Sequence, residues 1–217
     1  MRSTKLSQIL LTLCFLPLVL CLTKRKALIK IQNNTPDTLT GVGVSHKYSD
    51  VYKEQFSWSA IAPGKLSTED MIVEYHTGFG TTGRDWWMVT YHREIASAVR
   101  KNEVMMWYSD PQNFRSIIDF LEKIAPAAIK AAINAAKGTN PQLLPAAQVA
   151  HIASKVMCKL MFNNESTDGF KQHILESEDA NQITVIVINA DNTITFKSKS
   201  GNSKTVTSTR WIEGEHA

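Results

Sequence analysis

The chain has 217 residues, 43% hydrophobic and 20% charged, with a formal net charge of +4. That composition excludes an intrinsically disordered chain, and the charge is too small for a dedicated nucleic-acid surface. It holds only three cysteines, and two of them, Cys14 and Cys21, fall in the leader described next, so Cys158 has no intrachain partner and no disulfide framework is expected.

Residues 1–23 read as a secretory signal peptide. Arg2 and Lys5 form a positive n-region, Ile9 to Leu22 is apolar apart from Thr12 and Pro17, and Lys24-Arg25-Lys26 follows at once. The apolar stretch falls short of the roughly 20 residues that a spanning helix needs. Short side chains at Val19, Cys21 and Thr23 suit cleavage after Cys21 or Thr23, and Lys24-Arg25 offers a dibasic trimming site. The expected product is secreted, has no transmembrane segment and forms one domain over residues 27–211.

Strand patterns come next. Ala27–Gln32 reads as a first strand, ended by Asn33-Asn34-Thr35-Pro36-Asp37. In Leu39–His46, Thr40, Val42, Val44 and His46 alternate with Gly41, Gly43 and Ser45. Phe56–Ile61 leads into Ala62-Pro63-Gly64-Lys65, a sequence suited to a type II turn. Met71–His76 and Asp85–Tyr91 are two more period-two runs, joined by the glycine-rich Thr77–Gly83.

The period then changes. Asp110-Pro111 offers an N-cap with Pro at N1, and Phe114–Lys137 has helical spacing, with Ile117, Leu121, Ile124, Ala128, Ala131 and Ala135 on one stripe and a kink or restart at Pro126. Leu143–Phe162 is a second helix, with Ala146, Val149, Ala150, Ala153, Val156, Met157 and Leu160 as its core face. A short third helix is predicted over Asp168–Leu175. Strands return at Ile183–Ile188, Thr193–Lys199 and Thr205–Trp211. The expected fold class is α+β: an antiparallel β-sandwich of about 7–8 strands with a helical hairpin inserted at about 112–176.

Several stretches together carry a family resemblance. Val44-Ser45-His46-Lys47-Tyr48-Ser49-Asp50, Thr77-Gly78-Phe79, Thr81-Thr82-Gly83-Arg84-Asp85-Trp86-Trp87, Gly169-Phe170-Lys171-Gln172-His173 and the run from Asn192 through Phe196 to Gly201 resemble the "up-regulated in Daf-two" domain family. The likeness spans about residues 27–209 and is most specific around Arg84-Asp85-Trp86-Trp87. It implies a small β-rich domain, secreted or cytosolic, of nematodes and fungi. It implies no defined activity and no catalytic residues.

The motifs point to binding rather than to catalysis. Gly78-x-Gly80-x-x-Gly83 matches a dinucleotide fingerprint, but a strand pattern follows it where the phosphate-binding helix is required. Arg84, Asp85, Trp86, Trp87 and Tyr91 form the candidate binding face, with alternation placing one of the two tryptophans in the core. The plain alternative makes Arg84-Asp85 a turn-fixing ion pair. Asn33 and Asn164 head the sequons Asn33-Asn34-Thr35 and Asn164-Glu165-Ser166, each next to turn-like sequence where an N-linked glycan could sit in solvent. Lys123, Lys130 and Lys137 on the Ala-rich hairpin raise the alternative of a membrane-active effector. Cys158 reads as a buried thiol, and His151 is about 10 Å from it along the helix, too far for a catalytic pair. His46, His76 and His92 are the remaining candidates for a metal or enzyme site, and no motif supports one. No cofactor and no nucleic-acid partner are expected. The partner would be a protein, a glycan or a lipid surface.

Overall fold

The computed structural model describes residues 22–49, 51–79, 81, 83–100, 103–111, 125–138, 144–163 and 165–213. The leader up to residue 21, Lys123, the stripe residues Ile117, Leu121 and Ile124, Gly80 of the glycine loop and the sequon residue Asn164 lie outside them.

The strands are β1 (Thr23–Asn34), β2 (Leu39–Tyr48), β3 (Tyr52–Ile61), β4 (Met71–Thr77), β5 (Asp85–Arg93), β6 (Val99–Arg100), β7 (Glu103–Asp110), β8 (Lys171–Gln172), β9 (Ile183–Asn189), β10 (Thr193–Lys197) and β11 (Asn202–Glu213). They form one 11-stranded sheet in the order β3-β2-β5-β7-β11-β10-β9-β1-β4, with β6 on β7 and β8 on β5. The antiparallel sandwich of about 7–8 strands is thereby corrected. One sheet curls into a nearly closed barrel, and it is mixed, because β1 pairs with β9 in parallel.

The barrel stays open between β3 and β4, where side chains bridge the edges. Glu54 Oε1 accepts the Glu74 amide at 3.3 Å, Tyr52 OH lies 3.0 Å from His76 Nε2, and Trp58 Nε1 donates to the Glu69 carbonyl at 2.9 Å. The interior is filled by alternate residues of each strand, among them Ile29 and Ile31, Val42 and Val44, Val73 and Tyr75, Trp87 and Val89, Ile186 and Ile188, and Phe196.

A second core lies outside the barrel. The helices α1 (Ala125–Lys137) and α2 (Ala146–Asn163) cover β2, β5 and β7, burying Met88, Val104, Met106 and Tyr108 against Ile129, Ile133, Val149, Ala153 and Met157. Here Gly41, Gly43 and Ser45 find their purpose. A Cβ on Gly41 would stand 2.6 Å from His151 Cα, and one on Gly43 would overlap Cys158 Sγ, so the bare backbone lets α2 lie flat on β2. Gly41 also has φ +54 and sits where the pairing of β2 with β5 shifts register.

Two helical expectations are corrected. The buried face of α1 is Ala125, Ile129 and Ile133, and Ala131 and Ala135 face outward. Residues Asp168–Leu175 form a turn and β8 in place of a third helix, because Trp86 and Trp87 of β5 offer them a strand edge at Gln172 and Lys171. On α2, Val149, Ala150, Ala153 and Met157 are buried as their spacing predicts. The predicted type II turn is present, with Gly64 at φ +70 and Lys65 N donating to Ala62 O.

Candidate binding site at one end of the barrel

One barrel end gathers the end of β2 at Tyr48, the start of β3 at Tyr52, the end of β4 at Thr77 and the starts of β1 and β5. Just inside it, three ionisable side chains form a chain. His46 Nδ1 lies 2.7 Å from Glu54 Oε2, and His46 Nε2 lies 2.8 Å from Asp85 Oδ1. His46 and Asp85 are fully buried. Burial pulls the imidazole pKa down, and the hydrogen bonds that the ring donates to Asp85 and Glu54 outweigh it, so the His46 pKa is raised and the charged form is favoured. The Trp87 ring covers the imidazole at 4.2 Å between centroids.

A strap, His173 to Glu176, closes over this chain. Asp85 Oδ2 accepts the Leu175 amide at 2.9 Å, the His173 carbonyl accepts Trp87 Nε1 at 2.9 Å, and Tyr75 OH donates to the Glu176 carbonyl at 2.9 Å. Burial, followed by the negative charges of Asp179 and Asp85, raises the Tyr75 pKa and keeps it a donor.

Beside the strap opens a cleft of about 400 Å³ whose lining includes Tyr48, His76, Thr77, Thr81, Arg84 and Ile174. Its hydroxyls are already oriented: Tyr48 OH bonds the His76 carbonyl at 3.1 Å and Thr81 Oγ1 at 2.7 Å, and Arg25 Nε donates to Thr77 Oγ1. Arg84 is held by its backbone to Ser49 Oγ, and among the described residues its guanidinium has no hydrogen bond or ion pair. Ile174 of the lining is exposed, as are Phe79, which follows the lining residue Gly78 and is 69% exposed, and Val51, whose amide donates to the carbonyl of the lining residue Tyr48. A Cβ on Gly83 would overlap the Tyr48 ring, so this glycine serves close packing at the cleft wall.

The sequence-predicted residues divide between surface and core. Arg84 is exposed, Trp86 is half-buried against the outer core, and Asp85, Trp87 and Tyr91 are buried within the barrel. Asp85 does form an ion pair, with His46 rather than with Arg84. Asn33 is fully buried. Its Nδ2 donates to the Asp37 carbonyl at 2.8 Å and the Ile61 carbonyl at 2.9 Å, which corrects the expectation of an acceptor in solvent. Cys158 is a buried thiol whose pKa burial pushes up. His46, His76 and His92 do not converge: His76 bonds Tyr52 at the seam, and His92 Nδ1 lies 2.7 Å from the Met105 carbonyl at the other end of β5. Among the described residues no three His, Cys, Asp or Glu side chains are placed to hold a metal ion.

Glu54 went unremarked in the sequence, and the cleft residues Tyr48, Thr77 and Thr81 entered only within the stretches that carry the family resemblance, not as site residues. A signal for the buried chain existed: His46 is in phase with Val42 and Val44, and Glu54 with Phe56 and Trp58, so each places a charge on an apolar face.

A family model described as up-regulated in long-lived daf-2 matches residues 23–207. The chain belongs to this family. The match runs from the first residue of β1 into β11, so it takes in the daf-2 family's barrel, both helices and the cleft. No curated protein matches the chain. The family's description specifies no reaction and no ligand.

Proposed function

We propose that this member of the family is an exported, non-catalytic binding protein whose barrel-end cleft takes an amphipathic anion, an apolar body bearing a carboxylate or sulfonate. The observation that carries the reading is the cleft beside Arg84. Arg84, whose guanidinium has no partner among the described residues, lines the cleft together with Thr77, Thr81 and the exposed Ile174, and Phe79 and Val51, exposed next in sequence to the lining loop and beyond Tyr48, add apolar surface. Support for a non-catalytic role comes from the acid–base chain. Both nitrogens of His46 are occupied by carboxylates and Trp87 covers the buried ring, so this imidazole is not free to serve as an acid or base in the cleft. Support for export comes from the leader pattern of Arg2, Lys5 and Ile9–Leu22.

The test is a fluorescence titration of the folded protein with 8-anilinonaphthalene-1-sulfonate, an apolar body with one sulfonate. Saturable binding is expected, weakened about tenfold or more in Arg84→Ala because a charged hydrogen bond is lost, and weakened also in Phe79→Ser. Absence of binding to the folded protein, or binding indifferent to both substitutions, would remove the reading.

A further inference from the structure

A second recognition surface lies on the side of the barrel, away from the cleft. α2 follows the direction of β2, with His151 beside Gly41 and Cys158 beside Gly43 and Ser45. β3 pairs with β2 on that same face, so its outward side chains run along the helix. Between them is a groove of about 380 Å³ lined by Gln55, Phe56, Ser57, Lys155, Cys158 and Lys159. Lys155 and Lys159 are exposed and stand one turn apart, ~6 Å along the axis. Lys53 continues the outward row of β3 two residues before Gln55.

The groove is cationic without compensation. Among the described residues none of Lys53, Lys155 and Lys159 is in an ion pair. α2 contains no Asp or Glu, and the outward row of β3 is Lys53, Gln55, Ser57 and Ser59. The neighbouring acid, Glu54, points into the barrel to His46. His151, one turn before Lys155, has its pKa lowered by burial first and then by the Lys155 charge, so a positive field is felt along the helix.

Three kinds of polyanion differ in what else they require. A nucleic-acid strand asks for exposed aromatic rings on which bases stack, and the groove's single ring, Phe56, is partly buried against Trp58. A membrane asks for apolar side chains that enter the bilayer, and no exposed large hydrophobic residue lies on α2. A sulfated polysaccharide asks for spaced cations with hydroxyl and amide groups between them, which Lys155, Lys159 and Lys53 with Gln55 and Ser57 provide.

We propose that this groove binds a sulfated polysaccharide chain, independently of the barrel-end cleft. The experiment is calorimetric titration of the folded protein with a heparin decasaccharide and with dextran sulfate, against neutral dextran and phosphatidylserine vesicles. Both sulfated probes are expected to bind and neutral dextran is not. Lys155→Gln/Lys159→Gln is expected to weaken binding by about tenfold and to flatten its dependence on salt, because two released counterions are lost. Lys130→Gln on α1 and Arg84→Ala at the cleft are expected to leave it unchanged, which separates this site from the anion site proposed above. Failure of both sulfated probes to bind overturns the proposal, as does equal weakening by Lys130→Gln. Binding to the vesicles without binding to heparin also overturns it and assigns the lysines to a lipid surface.

Discussion

His46 and Asp85 share a 2.8 Å hydrogen bond with neither side chain exposed to solvent, and Glu54, opposite His46 on the adjacent strand β3, completes the arrangement. One imidazolium thus joins β2, β3 and β5, and through the Leu175 amide it holds the strap that borders the cleft. Removal of the imidazole leaves Asp85 buried without its counter-charge. His46→Ala is expected to cost about 3–5 kcal/mol in urea denaturation, and Asp85→Asn less, because the asparagine oxygen can still accept the Leu175 amide of the strap.

The two buried histidines of this end give the stability a maximum in pH. The folded pKa of His46 is raised, so its contribution is full below about pH 6.5 and is lost as pH rises through the folded value. Burial lowers the pKa of His173, whose Nδ1 is 3.0 Å from Ser203 Oγ, so its contribution is full above about pH 6.5 and is lost as pH falls through the folded value. Urea midpoints measured across pH should therefore fall on both sides of about 6.5. His46→Gln should remove the upper limb and His173→Gln the lower one.

The glycines of β2 should be far less replaceable than those of turns. Gly41→Ala meets the α2 backbone and an unfavourable positive φ, and Gly43→Ala meets Cys158, Ser154 and Thr90. Each is expected to cost about 1–3 kcal/mol as overpacking, with Gly41 the worse. Gly64→Ala has open space around it and φ +70, so its cost should be confined to about 1–2 kcal/mol of backbone strain. Thermal melts of the three variants would rank them.

Asn33 is a structural residue inside a sequon. Its Oδ1 accepts from the Thr35 amide and hydroxyl while its Nδ2 holds two carbonyls, so Asn33→Ala should cost about 1–3 kcal/mol by leaving buried groups unpaired. Glycosidase treatment of the protein expressed through a secretory pathway should leave the mass at Asn33 unchanged.

The leader should be cut so that β1 survives whole. Thr23 pairs with Thr77, Lys24 Nζ lies 2.6 Å from Glu74 Oε2, and Arg25 bonds Thr77. N-terminal sequencing of the protein expressed through a secretory pathway should read from Leu22. A start after Arg25 would show that these contacts are dispensable.

Period-two alternation located most strands that have one wet face or an all-small face, and it made Gly41, Gly43 and Ser45 visible as a row. It failed at β7. In Glu103–Asp110, Trp107 faces the barrel and Met106 and Tyr108 face the helices, so both sides are apolar and no alternation remains. Strand count and curvature were illegible for the same reason, since a sheet buried on two faces spells a continuous apolar run. The parallel β1–β9 pair joins residues more than a hundred positions apart, and nothing local encodes it. The buried acid–base chain depended on register. His46, Glu54 and Asp85 each stand on an apolar face, but only the pairing of β2 with β3 and β5 brings them together.

The proposal of an anion site at the barrel end is tested most directly by mapping backbone amide resonances of the isotope-labelled protein during titration with 8-anilinonaphthalene-1-sulfonate. The account predicts saturable shifts confined to Thr77–Arg84 and the strap at Ile174–Glu176, and their loss in Arg84→Ala. Shifts that cluster on α2 and β3, or that never saturate while the protein remains folded, would contradict it.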